Sequence, residues 1–436
     1  MITNYQPSTI NRLSRYWLLI GVVALAVAGL YSLTLVIGRA PMLSNNPEIQ
    51  RIFKDALVVH VDLSVLVWFL SIACLFWSLA TAHVRSVIPY VEEAALICFA
   101  LTIFCMMVSP FDPQAKALMS NYIPVISSPI FMLSLGFLLC GVGFMVAKQL
   151  AVGTWRMVES SAAVVTIISI ACFVWSYHLM PKIFEGEQYF DMLFWAGGHV
   201  LQLTHTQFLM LVWLLLSAQW SVASSQKKWI KVLFGFNLML AIISPLAYFM
   251  YDITGSEFRQ FFTRGIMTAG GIAPGILALV MLVWLWQARG ERKGEKRALW
   301  SCVLVSALLF LYGGFLALLI EGQNVLIPAH YHGSIVGITL AFMGFAYMML
   351  PRFGYRDVSG WCMAYWQPII YGIGQVMHVS GLAYSGGYGV LRKTVGGTDA
   401  LALNIKIALG VMGFGGLFAI IGGLLFVVVV WRSVRR

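Results

Sequence analysis

Apolar stretches of bilayer-spanning length alternate with short polar connections along the whole of this 436-residue chain. A helix rises about 1.5 Å per residue, so roughly 20 apolar residues cross a hydrocarbon core about 30 Å thick. Breaking the sequence at charges and at Gly, Pro and Asn clusters predicts twelve helices, near 17–37, 57–81, 88–108, 127–147, 155–178, 190–218, 229–250, 264–287, 298–320, 330–350, 364–386 and 404–431. The fold class implied is an all-α polytopic membrane bundle, because a lipid-embedded helix satisfies its backbone polar groups within itself. The polar stretch Met1–Arg15 enters the first run without a small-residue cleavage site, so the first helix is expected to stay in the protein. With no long linker, no low-complexity tract and no halves that align, one membrane domain over 1–436 is expected.

Composition agrees with this pattern. Charged residues make up 10% and hydrophobic ones 60%, with a mean hydropathy of +0.85, whereas soluble chains carry about 25% charged residues. The net charge of +11 does not call for nucleic acid, because the basic residues sort by side. Clusters such as Lys227/Lys228/Lys231 and Arg289/Arg292/Lys293/Lys296/Arg297 fall in the loops that share a side with both termini. The positive-inside rule makes that side cytoplasmic, and a bacterial inner membrane is the expected setting. All seven cysteines lie in or beside apolar runs, and none belongs to a CxxCH or paired CxxC motif. That excludes a self-encoded c-type haem and a disulfide framework, and leaves the cysteines as small hydrophobes.

The histidines carry the chemistry. His60, His199, His330 and His332 each open an even-numbered helix, and every even-numbered helix starts on the outer side, so the four share a depth. Ionisable groups within a membrane usually mark a functional site, and imidazole is the commonest protein ligand of metals and haem iron. In His330-Tyr331-His332, residues i and i+2 are turned by about 200° on a helix. They cannot chelate one ion, but they can hold two irons on opposite faces. His60 can then complete one iron, leaving the other with an open position for a small gas molecule. His83 and His178 are expected to be packing or loop residues. His205, about 240° from His199, is not a co-ligand, while Gln202, about 60° away, faces the same side.

These residues resemble subunit I of the haem-copper oxidase superfamily, which includes cytochrome oxidases and nitric oxide reductases, and the resemblance runs over essentially the whole chain. Its strongest stretch is IPAHYHGSIVGITLAFMGFAYMMLPRFGY, from Ile327 to Tyr355, which is similar to the family's tenth helix. The resemblance implies two haems, with His330 on the high-spin one and His332 on the low-spin one. His60, in HVDLSVLVWFLS, matches the second axial ligand of the low-spin haem, and His199, in WAGGHVLQ, matches a ligand of the non-haem metal. EFRQFFTRGIMTAGGIAPG, Glu257 to Gly275, resembles the segment that opens the eighth helix. MHVSGLAYSGGYGVLRK resembles the eleventh helix and the basic pair after it, which makes Arg392 and Lys393 candidates for the haem propionates.

The departures shape the expectation as much. Where the family's seventh helix carries two adjacent histidines, ungapped alignment from Arg259 and Thr263 places Ala247 and Tyr248. The oxygen groups nearby are Tyr248, Tyr251, Asp252 and Glu257, so a non-haem iron or copper held by His199 and Asp252 is one expectation, with mixed nitrogen and carboxylate ligation favouring iron. Loss of that metal is the other. The family's tyrosine four residues after the sixth-helix histidine is Leu203 here, and the eighth helix holds no membrane-embedded lysine. Reduction of NO to N2O needs neither, so it is favoured, with Tyr248 or Tyr251 as substitutes keeping dioxygen reduction open. A non-catalytic haem-binding electron-transfer or sensor protein and a transporter with incidental histidines remain as alternatives. Without a cupredoxin segment or c-type haem motif, the electron donor is expected to be a cytochrome c or cupredoxin-type subunit, or a quinol, at the outer face.

Overall fold

The computed structural model describes residues 12–38, 47–82, 90–152, 157–220, 228–291, 294–321, 324–387 and 402–435. His83, Arg392 and Lys393 lie outside them. The expected helices are present as α1 (Ser14–Gly38), α2 (47–81), α3 (Val91–Val108), α4 (Pro129–Ala151), α5 (Met157–Leu179), α6 (Gly186–Ser217), α7 (Lys228–Met250), α8 (Ser256–Gln287), α9 (Arg297–Ala317), α10 (Leu326–Met349), α11 (Cys362–Gly387) and α12 (Leu403–Val434). Among the described residues, eleven helical runs are long and apolar enough to cross a membrane. The exception is α11, a 26-residue helix whose run of Gln367, Pro368, Gln375 and His378 lowers its apolarity. The chain is an integral membrane protein.

Two helices start earlier than the apolar runs suggested. The segment before residue 57 is amphipathic, with Phe53 and Ala56 buried and Arg51 exposed, and it is helical from Pro47. Likewise Ser256–Gly265 buries Phe258 and Phe262 while its charged residues face out, and it forms the first part of α8. A reading by apolar runs misses such turns because their polar face dilutes the average. Both helices also carry a π-helical insertion, Asp62–Val67 in α2 and Ile266–Ile272 in α8. Such insertions are rare and occur frequently at functional sites.

The fold divides into two compact units. The first comprises Met1–Ala28, Leu57–Leu211 and Gln226–Pro274. Its interior holds a buried ion pair. Lys148 of α4 pairs with Glu92 of α3, and the same carboxylate accepts hydrogen bonds from Trp17 Nε1 at 3.1 Å and Ser78 Oγ at 2.5 Å. Ser78 Oγ in turn lies 2.6 Å from Ser14 Oγ. A buried pair of this kind is sustained by these added donors, since lipid offers the charges no hydration. Between α3 and α4, a short ladder of β1 (Ala117–Leu118) with β2 (Val125–Ile126) folds the connection back on itself.

The second unit comprises Gly29–Ala56, Val212–Ser225 and Gly275–Arg436. Glycine seams draw its helices together. A Cβ on Gly333 of α10 would stand 2.6 Å from Gly313 Cα of α9, and one on Gly337 would stand 2.9 Å from Phe310 N. On α12, a Cβ on Gly415 would meet the Gly374 carbonyl of α11 at 2.6 Å. Helices in lipid associate by close packing rather than by hydrophobic exclusion, so small residues at the seam let backbones approach. Gln367 of α11 adds polar contacts, accepting from Tyr347 Oη at 3.0 Å and donating to the Gly422 carbonyl at 3.2 Å.

Candidate functional site

Each candidate histidine is oriented by a specific contact. His60 sits on the turn just before the π-helical insertion of α2, and its Nδ1 donates to the Ala28 carbonyl of α1 at 2.9 Å. A carbonyl can only accept, so Nδ1 carries the proton and Nε2 keeps its lone pair. Two residues on, Asp62 is buried, and its Oδ2 has no hydrogen-bond partner among the described residues.

In the second unit, His330 Nδ1 donates to the Gly313 carbonyl of α9 at 2.8 Å. Gly313 is small of necessity: a Cβ there would be 2.7 Å from the His330 carbonyl oxygen. His332 turns toward a different helix. Its ring lies 5.0 Å from that of His378 on α11, inclined at 70°, and His378 Nδ1 donates to the Met412 carbonyl of α12 at 3.0 Å. The two rings of the HxH pair therefore leave α10 toward different neighbours. A ligating histidine typically has its second nitrogen bonded to a carbonyl or carboxylate. His60 and His330 meet that condition, so these residues fit haem ligation. His378 meets it too. It lies in the MHVSGLAYSGGYGVLRK stretch, but a single histidine outside the HxH motif carries no spacing signal to set it apart.

His199 of α6 is held differently. Its Nδ1 donates to the Trp195 carbonyl at 2.7 Å, and its Nε2 lies 2.6 Å from Tyr122 Oη. Tyr122 belongs to the connection between α3 and α4 and was not singled out by sequence. Gly198 makes the approach possible, since a Cβ there would stand 2.6 Å from Tyr122 Cγ. The connection is anchored by Asn121 N–H donating to Asp191 Oδ1 at 2.6 Å and by Ser128 Oγ donating to Asp112 Oδ2 at 2.8 Å. Burial raises the Tyr122 phenol above its ordinary pKa, with the Asp191 carboxylate adding to the effect. Beside His199 opens a cavity of about 380 Å³ lined by Leu203, Tyr251, Glu257, Gln260, Phe262 and Ile266, among others.

Of the expected oxygen ligands, Tyr248 and Asp252 are engaged elsewhere. Tyr248 stacks on Trp175 with ring centroids 4.8 Å apart, and its hydroxyl donates to the Cys172 carbonyl at 2.7 Å while lying 2.8 Å from Ser176 Oγ. It clamps α5 to α7. Asp252 is exposed, and its Oδ1 accepts from Thr254 Oγ1 at 2.5 Å and Thr254 N–H at 2.7 Å, which lowers its carboxyl pKa. Tyr251 and Glu257 do line the cavity. Among the described residues, no three His, Cys, Asp or Glu side chains gather as a metal cluster would require. The donors around His199 therefore do not fit a non-haem metal, while His60 and His330 fit haem.

The fold itself is identifiable. The chain superposes on a solved heme-copper terminal oxidase, reported as a dimer by cryo-EM, with a TM-score of 0.72 over 98% of this chain and 84% of that one, at 14% identity. It is thus a membrane protein with the haem-copper terminal oxidase fold. More narrowly, it belongs to the family of the uncharacterized protein RP382 of Rickettsia prowazekii (strain Madrid E), with which it is 31% identical across 97% of its own length and 96% of the relative's. An uncharacterized protein of Aquifex aeolicus (strain VF5) is 26% identical over 79% of this chain and 86% of that protein. No family model matches the chain.

Proposed function

We propose that this protein is the haem-containing catalytic subunit of a membrane terminal reductase, one membrane domain in a bacterial inner membrane with all twelve helices crossing and both termini cytoplasmic. In this reading His60 and His332 would hold a low-spin haem, and His330 would hold a high-spin haem. Arg392 and Lys393 pair with the propionates. The observation that carries the reading is the HxH pair of α10, whose two rings are directed toward different helices, with His330 fixed in its tautomer by the Gly313 carbonyl.

When bound, the haems would supply the redox chemistry. The protein's share is orientation. A carbonyl on Nδ1 of His60 and of His330 holds each ring at a set angle and strengthens Nε2 as a donor to iron. The cavity beside His199, walled largely by apolar side chains, suits a small uncharged molecule. Leu203 in that wall, and Ala247 and Tyr248 in place of a histidine pair, favour NO over dioxygen as substrate. Electrons come from a cytochrome c or cupredoxin-type subunit or a quinol at the outer face.

Haem and metal analysis of the purified complex, with anaerobic NO and O2 consumption, tests this directly. The expected result is two haems per chain and N2O formation with negligible oxygen uptake. Rapid four-electron oxygen uptake would overturn the choice of substrate, and protein devoid of haem would overturn the whole reading.

A further inference from the structure

We propose that a hydrogen-bonded Tyr122–His199 couple stands where related proteins place a non-haem metal, so that this chain holds its iron in haem alone. The inference rests on the haem reading above.

His199 Nδ1 faces the Trp195 carbonyl at 2.7 Å, so the proton of the neutral ring is on Nδ1. Nε2 is then the acceptor, and the group 2.6 Å from it is the Tyr122 hydroxyl, which donates. The lone pair that a metal would require is already used. The couple is built rather than incidental. The connection from α3 to α4 is pinned to α6 by the Asn121 N–H to Asp191 bond, and Gly198, next to His199, leaves the space that the phenol ring fills. His199 is itself 3% exposed.

The remaining donors cannot make up the difference. Metal sites in proteins usually take three or more protein ligands. Tyr248 has its hydroxyl committed to the Cys172 carbonyl, and Asp252 stands exposed on its turn with Thr254 on its carboxylate; Tyr251 and Glu257 share the cavity with His199, but among the described residues no three His, Cys, Asp or Glu side chains gather. One imidazole with both nitrogens occupied is not a metal site. A gas in the adjoining cavity would meet the His199 imidazole and the Tyr251 phenol among apolar walls, with Glu257, Gln260 and Arg264 also in the lining.

The test uses the full-length protein with its bound haem. Iron, copper and zinc are measured by mass spectrometry against haem determined as its pyridine complex, and the ferric protein is examined by EPR. Iron equal to haem, no copper and a full-intensity high-spin haem signal are expected, since no paramagnetic metal is near enough to couple with it. One non-haem metal per chain that disappears in His199→Ala would overturn the proposal while leaving the haem reading intact. Protein without haem would overturn the reading and the proposal together. Tyr122→Phe should keep its haem and its metal content, and should move the 15N resonance of His199 Nε2 toward that of an unbonded acceptor. An unmoved resonance would show that the couple does not exist.

Discussion

Replacing Lys148 by Met should destabilise the first unit more than any surface change, because it strands a buried carboxylate without its ion-pair partner. Lys148 and Glu92 side chains are 6% and 3% exposed, so neither charge has water to fall back on. Breaking one side of a buried pair costs about 3–5 kcal/mol, most of it the penalty on the partner left behind. Glu92 would retain the Trp17 and Ser78 donors, which places the expected loss at the lower end of that range, about 3 kcal/mol. At roughly 2 °C per kcal/mol for larger domains, the melting midpoint should fall by about 6 °C. Glu92→Gln alone should cost a similar amount, since it leaves the ammonium unpaired. The double variant Lys148→Met with Glu92→Gln removes both charges and should recover most of the loss. Thermal unfolding of the four proteins in one detergent, followed by fluorescence-detected size exclusion, forms the cycle. If the two single losses simply add in the double variant, the pair is not coupled and the reasoning fails.

Other outcomes follow from the haem ligands and the loop that carries Tyr122. His332→Ala should abolish the low-spin haem spectrum while leaving some high-spin haem; full occupancy of both haems would show the ligand assignment to be wrong. Gly313→Ala places a Cβ 2.6–2.7 Å from Ser334 Oγ and the His330 carbonyl, an overpacking that costs about 1–3 kcal/mol. It should lengthen the His330 Nδ1 bond and loosen the high-spin haem, and an unchanged haem content and spectrum would refute it. Asp112 accepts from Ser128 Oγ and Gln114 N–H, so its pKa in the folded protein lies below the ordinary carboxylate value. Those bonds stabilise the loop above the unfolded value and are lost as the pH falls through the depressed one. By NMR titration Ser128→Ala should raise the Asp112 midpoint, and an unmoved midpoint would contradict this cause.

The apolar helices and the HxH spacing were legible in the sequence because both signals are local. A bilayer imposes a minimum apolar run, and helical geometry sends residues i and i+2 apart wherever the helix is placed. Thus 57–81, 298–320 and the HxH pair could be read from residue order alone. The polar starts of α2 and α8 could not, since Phe53 and Phe258 are covered only once other chain segments pack over them. Four contacts were decided by tertiary structure: Ala28 on His60, Gly313 on His330, His378 on His332 and Tyr122 on His199. The Tyr122 contact joins residues 77 positions apart through an irregular connection with no period to read. Spacing along a chain specifies which residues share a helical face. It carries no record of which backbone carbonyl or phenol a fold will bring against that face, and here those partners determine whether an imidazole nitrogen is available for a metal.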